Sequence, residues 1–422
     1  MRTNFSPAQL ADPHLADVEK NLRACVHCGI CTATCPTYVL TGDERDGPRG
    51  RIVLMQNMLE ADAAPSPETV RHLDRCLSCL GCRTACPSGV NYPRLIDTAR
   101  AHIETHYRRP LGERLLRWLI AQVLTRPDVA RTMLRLARLA SPLSFLLPGR
   151  LRAMADKGAA IRPSSREPTA VMPPPPDAKR IALMPGCVQK AVAPEIDEAV
   201  ARLLARRGFS LVPAEGAGCC GSLSHHLGRE GEARAWAKRA IEGFERMGNV
   251  EAILISATGC SSHLKDLPHL FAGDPAWQPR AERFAATVKD FAELISPRGA
   301  ESPHHLRIAY HAPCSLQHGL RISGANETLL TAAGFEVLAI PEGHLCCGSA
   351  GSYSILQPEL SNTLRGRKLA NIAAIEPDVI ATANIGCLEH LSGGTPIVHV
   401  AELLNWAEGG PKPAALHQIA RA

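Results

Sequence analysis

Between the two cysteine runs of the first hundred residues, apolar positions recur at helical spacing. The intervals Arg51 to Glu60 and Glu68 to Arg75 therefore predict two helices. A third helix-patterned stretch runs from about Tyr107 to Met154 and is strongly basic. Beyond it the pattern changes. Ile181 to Met184, Phe209 to Val212 and Ala252 to Ala257 are short continuous apolar runs, as buried strands require. Between them, Pro194 to Arg207 carries Ile196, Val200, Leu203 and Leu204 on one helical stripe closed by Gly208, and Glu230 to Met247 is again helical in spacing. The same succession returns: Arg307 to His311, a helix ending at Gly334, Phe335 to Ile340, a helix near Leu360 to Ile375, then Val379 to Ala383. Strands alternating with helices predict a largely parallel sheet in each half.

The cysteines turn this parallel into a duplication. Cys187, Cys219, Cys220 and Cys260 recur as Cys314, Cys346, Cys347 and Cys387, every pair 127 residues apart. Glu215, Gly216, Gly221, Gly259 and His263 match Glu342, Gly343, Gly348, Gly386 and His390 at the same offset. Four cysteines sharing one offset mark an internal repeat. A proline run, Met172 to Asp177, favours an extended chain and separates the repeats from what precedes them. The expected organisation is a cysteine-rich helical domain over 1–105, a basic helical region with the proline-rich linker over 106–178, and repeats over 179–300 and 301–422.

Composition narrows the function. The net charge of +6 over 422 residues and the 4% aromatic content give neither a basic patch nor a stacking platform, so no nucleic-acid partner is expected. The most apolar stretch, Leu115 to Leu147, is broken by Arg117, Arg126, Asp128, Arg131, Arg135 and Arg138 and is not a membrane span. Sixteen cysteines are the outstanding number. The first twenty residues show no apolar signal core and no twin-arginine pair, so a reducing cytoplasm is expected, where cysteines serve metal or redox chemistry rather than disulfides.

Two runs define that chemistry. Cys25-x2-Cys28-x2-Cys31-x3-Cys35-Pro36 is followed by Cys76-x2-Cys79-x2-Cys82-x3-Cys86-Pro87. This is the bacterial ferredoxin spacing, in which three thiolates hold one [4Fe–4S] cluster and the fourth reaches the other. Cys25, Cys28, Cys31 and Cys86 are thus expected on one cluster, and Cys76, Cys79, Cys82 and Cys35 on the second. A zinc ribbon would leave the third cysteine and the Cys-Pro step unexplained. The 40 residues between the runs, with their helical pattern, favour a helix-rich ferredoxin domain. Two adjacent clusters with no nucleophile nearby make an electron wire, and no catalytic residue is assigned.

In the repeats, the glycine after each cysteine pair allows a tight loop in which both sulfurs converge. Each repeat then offers four thiolates and an imidazole, His263 or His390, to a metal or further cluster. The alternative is a set of small buried apolar cysteines. The pairs His225, His226 and His304, His305 are expected in solvated loops. No flavin, nicotinamide, P-loop or nucleophile-elbow motif is present. The arginine stretch from Arg108 to Arg152 fits either a face against a partner or anionic lipid, or a solvated helix pair.

Two ferredoxin runs followed by two Cys-Cys-Gly domains resemble the iron–sulfur subunits of glycolate oxidases. The resemblance covers nearly the whole chain and is carried by Ala24 to Gly29, Cys35 to Tyr38, Gly47-Pro-Arg-Gly-Arg-Ile52, Cys86 to Val90, Leu345-Cys-Cys-Gly-Ser-Ala-Gly351 and Thr382-Ala-Asn-Ile-Gly-Cys387. It implies a complex in which a flavin subunit oxidises glycolate to glyoxylate and this chain carries electrons toward membrane quinone, placing it at the inner face of the cytoplasmic membrane. The similar heterodisulfide reductase subunits hold non-cubane clusters in a pattern ending C-x2-C. Here it ends Cys260-x2-His263 and Cys387-x2-His390, so a loaded site needs the histidine or a plainer cluster. Related expectations are an electron-transfer subunit for glycerol-3-phosphate or lactate, or a thiol–disulfide enzyme of the heterodisulfide reductase type.

Overall fold

The computed structural model describes residues 1–146, 158, 178–214, 216–299 and 305–417. The proline run 172–177, Glu215, His304 and the end of the basic stretch lie outside these.

The N-terminal part is helical, as the spacing predicts. Its main helices are Pro13–Ala24, Pro48–Ala61, Pro67–Asp74 and Tyr92–His106. Each has proline within its first two positions, where the missing N–H costs nothing, and Asp12 and Ser66 cap two of them by accepting from the backbone N–H of His14 and Thr69. Their apolar stripes meet in one core of Val18, Leu22, Met55, Leu73, Leu95, Ile96, Ala99 and Ile103. The cysteine loops sit at the edge of this core.

Helices Leu111–Leu124 and Pro127–Ala140 form the basic segment. Arg117 is buried because it pairs with Asp74 at 2.9 Å and Glu113 at 3.0 Å. Burial would raise the Asp74 carboxyl, but Arg117 and Arg109 hold it below its ordinary value. On the far side Ala130, Val123 and Leu134 join the core of the first repeat. The pair of helices therefore straps the ferredoxin part to that repeat. No helix among the described residues is long and apolar enough to cross a membrane.

Each repeat is a four-stranded parallel sheet. Strands β1 (Lys179–Leu183), β2 (Phe209–Pro213), β3 (Ala252–Ile255) and β4 (Val288–Asp290) run in the order β2-β1-β3-β4. Strands β5 (Arg307–His311), β6 (Glu336–Leu338), β7 (Val379–Thr382) and β8 (Ile397–His399) repeat it as β6-β5-β7-β8. All four residues of β3 and of β7 are buried, which is why these central strands read as unbroken apolar runs. The edge strands β4 and β8 were not anticipated. β6, also three residues, was readable within the longer, largely apolar run Phe335 to Ile340, whereas β4 and β8 end on Lys289-Asp290 and His399. The repeats are fused through a shared core in which Val200, Leu203 and Leu204 meet Leu329, Leu330, Leu403 and Leu404.

Candidate iron–sulfur centres

The two ferredoxin runs fold into matching loops. His27 and Gly29 in the first, and Ser78 and Leu80 in the second, adopt left-handed backbone conformations at φ of 56°, 81°, 51° and 62°. Such conformations cost about 1 kcal/mol or more for residues with a side chain, and they curl each loop so that successive sulfurs face inward. The loops line two clefts. The outer one is lined by Cys25, Cys28, Cys31 and Cys86, together with Cys82. The inner one is lined by Cys35, Cys76, Cys79 and Cys82. The fourth cysteine of each run thus faces the cleft of the other run. Cys28 is exposed, whereas Cys35 and Cys76 are buried.

The residues fit an iron–sulfur group by their chemistry. Burial, then the thiolates of Cys25 and its neighbours, push the Cys31 thiol up to about 11. Burial and neighbouring thiolates likewise raise Cys79 and Cys82. Sulfurs crowded this way repel one another as anions, and bound iron supplies the opposing charge. Tyr92 lines both clefts, and its buried hydroxyl has no hydrogen-bond partner among the described residues.

The Gly47-Pro-Arg-Gly-Arg segment supplies the surrounding cations. A Cβ at Gly50 would stand 2.1 Å from the Glu44 carbonyl oxygen, so only glycine lets this helix start close enough. Arg49 donates to the His27 carbonyl at 3.3 Å, bracing the outer loop. Arg51 is 1% exposed and donates to the His72 carbonyl at 2.8 Å, Thr37 Oγ1 at 3.0 Å and Cys35 Sγ at 3.8 Å. Burial would lower this guanidinium, but Cys76, Tyr92, Cys35 and Asp46 more than offset it and hold its value above the ordinary one. Arg100 braces the inner loop through Ser78 Oγ and the Cys76 carbonyl, each at 2.6 Å.

In each repeat the isolated cysteines lie beyond the carboxyl ends of the central strands. Cys187 begins the helix Cys187–Val192 after β1, and Cys260 lies in the helix Thr258–Lys265 after β3. Cys314 precedes a π-turn, Ser315–Leu320, after β5, and Cys387 lies in Ile385–Leu391 after β7. The Cys-Cys-Gly loops meet them. Cys219 Sγ is 3.4 Å from Cys187 Sγ, Cys220 Sγ is 3.2 Å from Cys260 Sγ, and Cys347 Sγ is 3.6 Å from Cys387 Sγ. Cys346 shares a hydrogen bond with Cys314. Gly221 and Gly348, at φ of 86° and 97°, each turn an N–H onto the first sulfur of their pair at 3.5 Å. Hydrogen bonds from Cys187 and Cys220 hold Cys219 below the ordinary thiol range.

The histidines fall elsewhere than the spacing suggests. His263 packs against His225, ring centroids 5.1 Å apart, and burial followed by the neighbouring His225 and His226 charges lowers it far below its ordinary value. His390 Nε2 is 3.3 Å from Ser361 Oγ, beside Gly348. The imidazole grouped with Cys347 and Cys387 is His311. His225 and His226 are not loop residues. They end the short helix Ser222–His226 and face Asp97 of the ferredoxin part at 3.4 and 3.7 Å.

A family model described as "4Fe-4S dicluster domain" matches residues 21–90, and one described as "Cysteine-rich domain" matches twice, at 181–265 and 308–392. The glycolate oxidase iron–sulfur subunit of Escherichia coli is 37% identical over 96% of this chain and 99% of its own length. The chain belongs to the glycolate oxidase iron–sulfur subunit family. A probable member from Bacillus subtilis is 32% identical over 93% of this chain and 95% of that one. The lactate utilization protein A of Geobacillus kaustophilus is 28% identical over 54% of this chain and 98% of its own length. In fold, the chain is similar to the crystal structure of a hypothetical protein from Helicobacter pylori, with a TM-score of 0.57 and 9% identity over 96% of this chain and 74% of that one. As a member of this family the chain is an iron–sulfur subunit of an oxidoreductase, built from a helical dicluster domain and two cysteine-rich α/β domains.

Sequence reasoning missed Arg51, Arg100, Tyr92 and His311. The first two sit on amphipathic helices where arginine reads as solvated, and only the Gly-Pro-Arg-Gly-Arg motif gave a signal for Arg51. Tyr92 and His311 read as the start of a helix and the end of a strand.

Proposed function

We propose that this chain receives electrons from a flavin subunit that oxidises glycolate to glyoxylate and delivers them toward membrane quinone. Cys25, Cys28, Cys31 and Cys86 hold one [4Fe–4S] cluster, and Cys35, Cys76, Cys79 and Cys82 hold the second. When bound, these clusters supply one-electron redox chemistry. The protein's part is to seat them, exclude water from the inner one and surround it with Arg51 and Arg100.

The observation that carries the reading is the gradient of burial across one contiguous row of thiols. The outer group opens to solvent between exposed Val26 and Ile30, 68% and 54% accessible, a rim suited to the flavin subunit. In the inner group Cys35 and Cys76 are buried and Cys79 and Cys82 half-buried, and Cys79 and Leu77 pack in one cluster with Cys314, Cys346 and Tyr353 of the second repeat. The second repeat accordingly carries a further iron centre on Cys314, Cys346, Cys347 and Cys387, and the first on Cys187, Cys219, Cys220 and Cys260. Burial of Cys219, Cys220, Cys346 and Cys347 leaves a disulfide substrate no direct access, which favours electron transfer over a thiol–disulfide enzyme.

The strap helices supply the membrane side. Leu111, Leu115, Trp118, Met133, Leu136 and Leu139 are exposed beside Arg114, Arg126, Arg135 and Arg138, against one fully solvated acid, Asp128. An apolar face carrying this excess of arginine fits an anionic lipid surface. The test of the function is reconstitution. The isolated chain should not oxidise glycolate with an artificial acceptor, and the flavin subunit should restore turnover. Oxidation by this chain free of any flavoprotein would overturn the reading.

A further inference from the structure

The two repeats share their cysteines and several flanking glycines, but not every residue around the sulfurs. At the position of His311 the first repeat has Met184. His311 ends β5 at the carboxyl edge of the second sheet and is 1% exposed. One of its ring nitrogens and the sulfurs of Cys347 and Cys387 all lie within 4.8 Å of one another. Neither ring nitrogen has a hydrogen-bond partner among the described residues. A buried polar group left unsatisfied costs about 1–3 kcal/mol, so an imidazole kept in this position without a protein partner points to a ligand outside the protein. His390, the imidazole the sequence spacing offers, is instead placed against Ser361, whose hydroxyl donates to the Gly348 carbonyl at 2.8 Å.

We infer that His311 is an iron ligand of the second repeat, making that centre mixed imidazole–thiolate while the centre of the first repeat is bound by thiolates. The inference rests on the reading that the Cys-Cys-Gly sites carry iron. Imidazole is neutral where thiolate is anionic, so it stabilises the reduced form of a cluster and raises its potential. Such a centre, beside Cys79, suits an electron acceptor for the inner ferredoxin group. Met184 offers a thioether, a far weaker ligand for iron, in the first repeat.

The test uses the full chain, prepared without oxygen and reconstituted with ferrous iron and sulfide. Pulsed electron paramagnetic resonance should detect a strong nitrogen coupling on a centre distinct from the ferredoxin clusters, and labelling histidine with nitrogen-15 should shift it. His311→Met, which copies the first repeat, should abolish the coupling while both ferredoxin signals persist as a control for folding. A coupling that survives His311→Met, or one lost in His390→Gln instead, overturns the assignment while leaving the iron reading intact. Iron confined to the ferredoxin clusters overturns both.

Discussion

The first and second Cys-Cys-Gly repeats have the same strand order and the same cysteine intervals, yet they are set in different surroundings. The first is roofed by the strap helices, and its site backs onto Met184 and Ile241, both in the apolar core. At the positions of those residues the second has His311 and Lys368. Lys368 is 2% exposed and donates to the Glu342 carbonyl at 2.7 Å, and its charge acts on the thiols of Cys314, Cys347 and Cys346. Where the first repeat continues from Cys187 as an α-helix, the second forms a π-turn after Cys314, and π-turns concentrate at functional sites. That turn touches the ferredoxin part directly, through a hydrogen bond at 2.7 Å between Thr84 Oγ1 and His318 Nδ1. The repeats thus keep the sulfurs and their glycines while Met184 and Ile241 give way to His311 and Lys368: one repeat contacts the inner ferredoxin group, and the other anchors the strap.

The largest effect should come from cutting the row of thiols ahead of the second repeat. Cys35→Ser removes the fourth sulfur of the inner group, so ferredoxin iron should fall from about eight to about four per chain. Reduction of the second-repeat centre through the chain should cease, while the outer cluster's resonance persists. If instead the cluster on Cys25, Cys28 and Cys31 were the one lost, the crossed assignment would be wrong.

The glycines give an intermediate contrast. A Cβ on Gly348 would meet the Ser361 carbonyl oxygen at 2.6 Å and Leu364 Cβ at 3.0 Å, whereas on Gly221 the nearest atoms are the Ala233 carbonyl oxygen at 3.1 Å and Trp236 Cβ at 3.2 Å. Both positions carry the left-handed penalty of about 1 kcal/mol. Gly348→Ala should therefore destabilise by about 3 kcal/mol and Gly221→Ala by about 1–2 kcal/mol in chemical unfolding. Equal losses would mean that the second loop is no tighter than the first.

Much of this was legible in the residues, and the reasons differ by region. The ferredoxin loops were readable because cluster geometry dictates x2 spacing, and the duplication because four cysteines share one offset. The central strands were readable because a strand buried on both faces has no polar positions. Strands β4 and β8 were not, because each is a short run ending on polar residues, Lys289-Asp290 and His399. His311 was hidden because a histidine closing an apolar run gives no spacing signal, whereas His390, three residues beyond Cys387, gave one. Asp97 was equally hidden, since its partner His225 lies in the first repeat.

That partner gives the smallest effect, a pH dependence confined to the first repeat's contact with the ferredoxin part. Burial opposes charge on both groups, but the Asp97 charge and hydrogen bond hold His225 above 6.5, and His225 holds Asp97 well below 3.8. A raised histidine contributes its stability fully below 6.5 and loses it as pH rises through its folded value. A depressed carboxyl contributes above 3.8 and loses it as pH falls through its own folded value. The pair is thus strongest between these limits. Asp97→Asn should destabilise by about 2 kcal/mol near pH 6, less at pH 9, as read by thermal unfolding across that range. A cost that does not fall with rising pH would show that no ion pair joins the two parts.

The central claim is that the second repeat, rather than the first, continues from the inner ferredoxin group. The most direct measurement is the spin relaxation of the inner cluster in the reduced full chain. A paramagnetic neighbour in contact shortens that relaxation, so Cys347→Ser should lengthen it to that of an isolated cluster while Cys220→Ser leaves it nearly unchanged. The opposite order, or an equal response to both substitutions, would contradict the account.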